Sequence, residues 1–342
     1  MQYEILGKSG LKISVVGFGG IPIQRVSEQE AINVVRFALD NGINFIDTAR
    51  GYSVSEGYIG KAIKDRREQV VLATKGPGLD KAGFRANIQQ SLDTIDTPYI
   101  DLYQVHNVKD CDAIDKVFGE GGAYEAFEEY RAEGKVLHFG LTCHKREVLD
   151  YALDRYGDKV ESIMFPYNIV ENQGDQLFAK AKEMNVGVIV MKPLAGGNLT
   201  DAKLALRYCL NNPNVTVVIP GMANNEEILQ NVSAQKSPLT PEEKAECDRL
   251  VRELGNEFCR RCGYCAPCTV GIDIPTCFTF RNYLKNYDLA DWASERYESM
   301  KVKADSCIKC GKCLARCPYE LDIIAKLEEV ARDFKNYQDS KK

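Results

Sequence analysis

No apolar run in the chain approaches the ~20 residues that a membrane-spanning helix needs. Basic charge is not in excess either. The 44 Lys and Arg stand against 49 Asp and Glu, a net charge of −5, so no positive field is present to recruit nucleic acid or acidic lipid. The first ten residues alternate polar and apolar types, with neither a cationic segment nor an apolar stretch, and no secretory signal is read. The expected compartment is the cytoplasm. Repeats at solenoid periods and low-complexity tracts are also missing. What remains is ordinary: 44% hydrophobic and 27% charged residues over 342 positions, enough for two domains of a soluble globular protein.

Cysteine is abundant. There are 13, and nine of them fall between Cys259 and Cys317. An odd number in a chain without a signal argues against a disulfide framework. Crowded thiols in a reducing compartment bind metal instead.

The first ~235 residues alternate short apolar runs with amphipathic stretches. The expected strands are 13–20, 44–49, 70–75, 100–106, 138–143, 162–168, 187–194 and 215–221. The expected helices are 28–40, opened by Ser27 with Glu30 three residues on, then 56–65, 82–95, 124–133, 145–156, 173–184, 202–211 and 224–232. Eight strand–helix units in this length predict an α/β TIM barrel spanning 1–240. Residues 3–6 and 11–13, around Lys8-Ser9-Gly10, predict a hairpin at the barrel bottom. A doubly wound sheet is the competing fold, but Gly17-Phe18-Gly19-Gly20 lacks the third glycine of a dinucleotide fingerprint. Ser237-Pro238-Leu239-Thr240-Pro241 breaks the pattern. A linker helix follows over 241–258, then a mainly helical domain over 259–334, and a frayed polar tail over 335–342.

A barrel enzyme places its chemistry at the C-terminal ends of its strands. Asp47, Lys75 and His106 end the second, third and fourth, with Tyr52 just past Asp47. Singly, each reads as a capping, surface or core residue. Together at successive strand ends they make a proton-transfer set. An ammonium stabilises a phenolate, a carboxylate holds the ammonium, a histidine orients a carbonyl, and the phenol protonates its oxygen.

These residues carry a resemblance. Phe45-Ile46-Asp47-Thr48-Ala49-Arg50-Gly51-Tyr52, then Ser55-Glu56 and Ile59-Gly60, resembles the aldo-keto reductase signature. Ala73-Thr74-Lys75 resembles that family's lysine strand, and Tyr99 to His106 its histidine strand. Gly134-Lys135, Phe139-Gly140-Leu141-Thr142 and Pro166-Tyr167-Asn168 continue the match over 1–235. The resemblance implies NAD(H) or NADP(H) as cofactor, a small-molecule carbonyl or alcohol as substrate, and Tyr52 as acid/base supported by Lys75, Asp47 and His106. It implies a cofactor site at Gly19, Gly20, Asp47, Thr142, Cys143 and Met164. The site continues through Met191, Lys192, Pro193, Leu194 and Gly196. Pro220, Gly221, Met222, Glu227 and Asn231 complete it. Thr142-Cys143 replaces a common Ser-Asn, and Met164 replaces a common Gln. Gly221 and Glu227 stand where cations often meet the 2′-phosphate, which favours NAD(H) or mixed use.

Cys307-x2-Cys310-x2-Cys313-x3-Cys317-Pro318 has the bacterial ferredoxin spacing, in which the fourth cysteine ligates the other cluster. A zinc ribbon would leave two of these thiols without a purpose. Cys259-x2-Cys262-x2-Cys265-x2-Cys268 is similar, with its last spacer one residue short. Two [4Fe–4S] clusters are therefore expected: Cys259, Cys262, Cys265 and Cys317 on one, Cys307, Cys310, Cys313 and Cys268 on the other, with Cys277 as the reserve for Cys268. The 38 residues between the motifs look helical over 278–301. The layout is similar to aldo-keto reductase homologues with an appended ferredoxin-type domain. Three functions compete: a nicotinamide-dependent carbonyl reductase, an electron-transfer module serving a flavoprotein or ferredoxin partner, and clusters that only fold their domain. The specificity loops carry no diagnostic constellation, and the substrate is not legible.

Overall fold

The computed structural model describes residues 1–255, 257–261, 263–287, 289–317 and 319–341. They form two compact units, Met1–Ala195 with Thr200–Thr240, and Gly196–Leu199 with Pro241–Lys342. No helix among the described residues is long and apolar enough to cross a membrane.

The first unit opens with an antiparallel hairpin, β1 (Tyr3–Ile5) and β2 (Lys12–Ser14). Eight parallel strands follow: β3 (Phe18–Gly19), β4 (Phe45–Asp47), β5 (Val71–Gly76), β6 (Ile100–Val105), β7 (Val136–Thr142), β8 (Ser162–Pro166), β9 (Gly187–Met191) and β10 (Val217–Val218). Bridges Val16–Val218 and Gly19–Gly221 join the last strand to the first. Gly19 is needed there, because a Cβ would meet the Pro220 carbonyl oxygen at 2.8 Å. The result is the expected TIM barrel. Its interior is filled by Leu6 from the hairpin with Phe45, Ala73, Leu102, Met164 and Ile189.

Helices α1 (Glu28–Asp40), α2 (Ser55–Ile63), α3 (Lys81–Ile95), α4 (Cys111–Phe118), α5 (Ala123–Ala132), α6 (Arg146–Tyr156), α7 (Asp175–Glu183), α8 (Ala202–Asn211) and α9 (Asn225–Val232) cover the outside. The Ser27–Glu30 capping box that starts α1 is present, satisfying otherwise orphaned amides. Two expectations are corrected. The run 13–20 is not one strand, since Ile13 pairs with Glu4 in the hairpin and only Phe18–Gly19 pairs with β4. Helix α4 was not expected; Asp110 caps it by accepting from the Ala113 amide.

The second unit holds α10 (Pro241–Leu254), α11 (Ile274–Asn286), α12 (Ala290–Glu298), α13 (Lys312–Arg316) and α14 (Ile323–Asp339). The single helix expected over 278–301 is two. Asp273 caps α11 early with Pro275 in its first turn. The break beyond α11 lets Trp292 pack edge-on against Phe280 and Tyr283, at 6.2 and 5.2 Å between ring centroids. The tail is not frayed as expected either. Helix α14 runs to Asp339 because Phe334 stacks on Tyr297 at 3.9 Å and the Tyr337 hydroxyl donates to Asp291 at 2.8 Å.

Candidate active site and cysteine pockets

Asp47 is the last residue of β4, Lys75 lies one residue before the end of β5, and His106 follows β6. Register places Asp47 beside Ala73 and Lys75 beside Gln104. With the period of two along a strand, Leu102, Gln104 and His106 share the inward face. The Lys75 Nζ reaches Asp47 Oδ1 at 2.5 Å and donates to the Thr48 carbonyl at 2.5 Å, and both charged side chains are 2% exposed. Gln104 Nε2 donates to Asp47 Oδ2 at 3.3 Å. Burial drives the Asp47 carboxyl above and the Lys75 ammonium below their ordinary ranges, and their ion pair opposes both shifts.

Tyr52, in the loop before α2, brings its ring to 5.1 Å from the Lys75 Nζ. Its ring and that of His106 meet edge-on, 6.1 Å apart between centroids. Burial first, and the Lys75 ammonium second, push His106 down to about 3. Its imidazole is therefore neutral at physiological pH.

Behind this set lies a buried polar network. Glu56, 1% exposed, accepts from Thr74 and Ser91 hydroxyls at 2.7 and 2.8 Å and pairs with Arg50 at 2.5 Å. It ties the start of α2 to β5 and α3. Gln104 and Glu56 lie within motifs quoted from the sequence, but neither was given a role there. The signal was a polar residue inside a strand whose six positions are all buried, and an acid in a helix turn that faces the core. Gly140, three strands from Asp47, makes room for Gln104: a Cβ there would meet Ser162 Oγ at 2.4 Å and Gln104 Cγ at 3.1 Å.

Of the positions expected at the cofactor, Gly19 ends β3 and Gly20 follows it, Thr142 ends β7 and Cys143 follows it, and Met164 lies in β8. Thr142 Oγ1 accepts from the Asn107 amide at 2.7 Å. Cys143 donates its thiol to the Val108 carbonyl at 2.9 Å, and burial pushes it up to about 11; such a thiol is unreactive. Met164 is buried in the barrel's apolar interior, and its backbone carbonyl accepts from the Cys143 amide at 3.2 Å. Met191 ends β9, with Lys192, Pro193 and Leu194 after it, and Gly196 belongs by its contacts to the second compact unit. Pro220, Gly221 and Met222 link β10 to α9, Met222 being core. Glu227, in the first turn of α9, accepts from the Ala223 amide at 2.6 Å. Asn231 is 2% exposed, and its Oδ1 is buried with no partner among the described residues. An orphaned buried carbonyl of this kind awaits a donor.

In the second unit no disulfide is found among the described cysteines. Cys262 and Pro318 lie outside the described residues. One pocket is lined by Cys268, Cys307, Cys310 and Cys313 among others. A second is lined by Cys259 and Cys317 among others. Cys265 borders both. Cys277 lines neither; it is wholly buried in α11, where burial pushes it up to about 12. No three His, Cys, Asp or Glu side chains among the described residues converge as they would around one ion. A cubane is held at its corners, so its cysteines ring a void instead of meeting at a point. The residues present fit that arrangement.

A family model described as the aldo/keto reductase family matches residues 15–204 and 201–252, and one described as a 4Fe-4S dicluster domain matches 258–322. L-galactose dehydrogenase of Arabidopsis thaliana is 29% identical over 284 residues, 68% of this chain and 88% of its own. The aldo-keto reductase AKR11C1 of Bacillus halodurans, in its holo form, aligns with a TM-score of 0.64 at 30% identity, over 73% of this chain and 96% of its own. An aldo/keto reductase of Klebsiella pneumoniae in complex with NADP and acetate aligns with a TM-score of 0.62 at 25% identity, over 73% and 96%.

Proposed function

The chain belongs to the aldo/keto reductase family, and from that premise we propose that its barrel interconverts a small carbonyl and its alcohol, with Tyr52 as acid and base, while the second unit holds two [4Fe–4S] clusters. It is an NAD(P)-dependent oxidoreductase. The observation that carries the reading is the buried Lys75–Asp47 pair beneath the Tyr52 ring.

A bound reduced nicotinamide supplies the hydride that reaches the carbonyl carbon. Tyr52 gives its hydroxyl proton to the carbonyl oxygen. The Lys75 ammonium stabilises the phenolate that remains. Asp47, gripped by Lys75 on one oxygen and Gln104 on the other, keeps that ammonium charged and in place. His106, neutral, orients the substrate oxygen through a ring N–H.

Asn231 Oδ1, orphaned and buried, fits the exocyclic amine of an adenine. Glu227 and Glu226 put carboxylates in the first turn of α9, and Glu227 occupies the Ala223 amide. A 2′-phosphate there would meet anions instead of cations, so NAD(H) is preferred or use is mixed. The two cysteine-lined pockets support Cys268 with Cys307, Cys310 and Cys313 on one cluster, and Cys259, Cys265 and Cys317 on the other, to which the sequence spacing adds Cys262.

A panel of aldehydes and ketones assayed with NADH and NADPH tests the proposal. Tyr52→Phe is expected to lose most turnover, on the order of 10²–10⁴-fold, while retaining cofactor affinity. A variant with wild-type turnover would remove Tyr52 from the role.

A further inference from the structure

The two cysteine loops carry cations and no anions. Arg260 and Arg261 lie in the first, Lys309, Lys312 and Arg316 in the second, within a chain of net charge −5. The structure treats the two sets differently. Arg260 is 8% exposed and stacks on Tyr319 at 4.0 Å, so its charge is committed inside the unit. The second set faces outward. Lys309 is offset by Glu328 at 2.5 Å. Lys312 and Arg316 are exposed, sit one turn apart on α13, and have no ion-pair partner among the described residues. Arg316 donates to the Pro267 carbonyl, at 3.0 Å.

Two apolar side chains of the same loop are exposed as well. Ile308 is 59% and Leu314 37% exposed, and Cys310 is the exposed cysteine of the pocket that also includes Cys268, Cys307 and Cys313. Unneutralised charge around bare aliphatic side chains is the make-up of a small, electrostatically steered and short-lived interface. Its centre on Cys310 sets the kind of partner, since electron exchange requires close approach to that edge.

We propose that the Cys307–Cys317 loop is the docking surface for a small acidic one-electron carrier protein. The proposal rests on the reading that this loop closes on a cluster. Lys312 and Arg316 attract the carrier's carboxylates, and Ile308 and Leu314 are covered on contact. Steering of this kind raises association on the order of 10–10³-fold at low salt.

The test uses anaerobically prepared full-length protein, assayed first for iron and sulfide. The probes are an acidic plant-type ferredoxin and a basic cytochrome c, both oxidised. Ferredoxin affinity is expected to fall at least about tenfold between about 0.02 M and about 0.5 M salt. K312E/R316E is expected to bind about tenfold or more weaker at low salt. Carbodiimide cross-links should map to Lys309 and Lys312, and cytochrome c should not bind. Equal affinity of variant and wild type, or cross-links spread over other lysines, would overturn the proposal and leave the cations serving only to offset cluster charge. Should the reversed variant fail to load iron, K312Q/R316Q and the wild-type cross-link map decide the matter. Loaded protein that ignores ferredoxin defeats the docking surface alone. Protein without iron and sulfide defeats the cluster reading, and the surface with it.

Discussion

Lys75 and Asp47 lie on neighbouring strands with Nζ and Oδ1 2.5 Å apart, each shielded from water by the barrel. Breaking such a pair from one side strands the other charge, at a cost of about 3–5 kcal/mol. Lys75→Met is therefore expected to lower thermal stability and to abolish most turnover. Adding Asp47→Asn should recover much of the stability and none of the activity. Recovery of activity in the double variant would show that the ammonium serves the fold and not Tyr52.

His106 titrates at about 3 in the folded chain, against ~6.5 when unfolded. Between those values the unfolded state binds the extra proton. Stability contributed by this group is complete above pH ~6.5 and is lost as pH falls toward 3. Nitrogen-15 NMR should show a neutral imidazole at pH 5, and His106→Gln should flatten stability between pH 6 and 4. An imidazolium at pH 6 would contradict the assignment.

Glu227 holds the Ala223 amide at the α9 N-terminus. Fluorescence-quenching titration should find NADH bound at least as well as NADPH. Glu227→Arg should shift the ratio toward NADPH about tenfold, equivalent to ~1.4 kcal/mol. Wild-type protein that already binds NADPH more than about tenfold tighter would mean that a cation from another loop meets the phosphate.

Metal analysis of anaerobic protein should give about eight irons and eight sulfides per chain. Cys268→Ser should remove about half, because Cys268 lines the pocket of Cys307, Cys310 and Cys313. Cys277→Ser should remove none. The opposite pattern would exchange the two cysteines, and zinc in place of iron would end the cluster reading.

Hydride transfer moves two electrons together, whereas an iron–sulfur cluster accepts one. NADH mixed anaerobically with oxidised protein, without flavin, should leave the visible cluster absorption unchanged, while NADH with a carbonyl substrate is consumed. Rapid bleaching by NADH alone would make redox relay the primary activity.

The three residues around Tyr52 were legible because each lies at or next to the end of a strand, and the barrel's register converts that linear spacing into proximity. Helix α1 was legible to the residue because both its ends are local events, as the Ser27–Glu30 box shows. What escaped depends on contacts remote in sequence. Whether 13–20 is one strand is decided by which neighbours Ile13 and Phe18 find. The tail is polar in composition, yet Phe334 and Tyr337 anchor it to α12 and its flank. Gln104 contacts Asp47 across 57 positions, which no local pattern encodes.

Gly140 extends the site inward by a steric chain. A single methyl group at that position would press on Ser162 and Gln104, and through Gln104 on the carboxylate that steadies Lys75. Mutational intolerance therefore reaches a position that meets neither substrate nor cofactor. A library scored on turnover would find Gly140 as unforgiving as the ionisable residues, while one scored on solubility could pass it by.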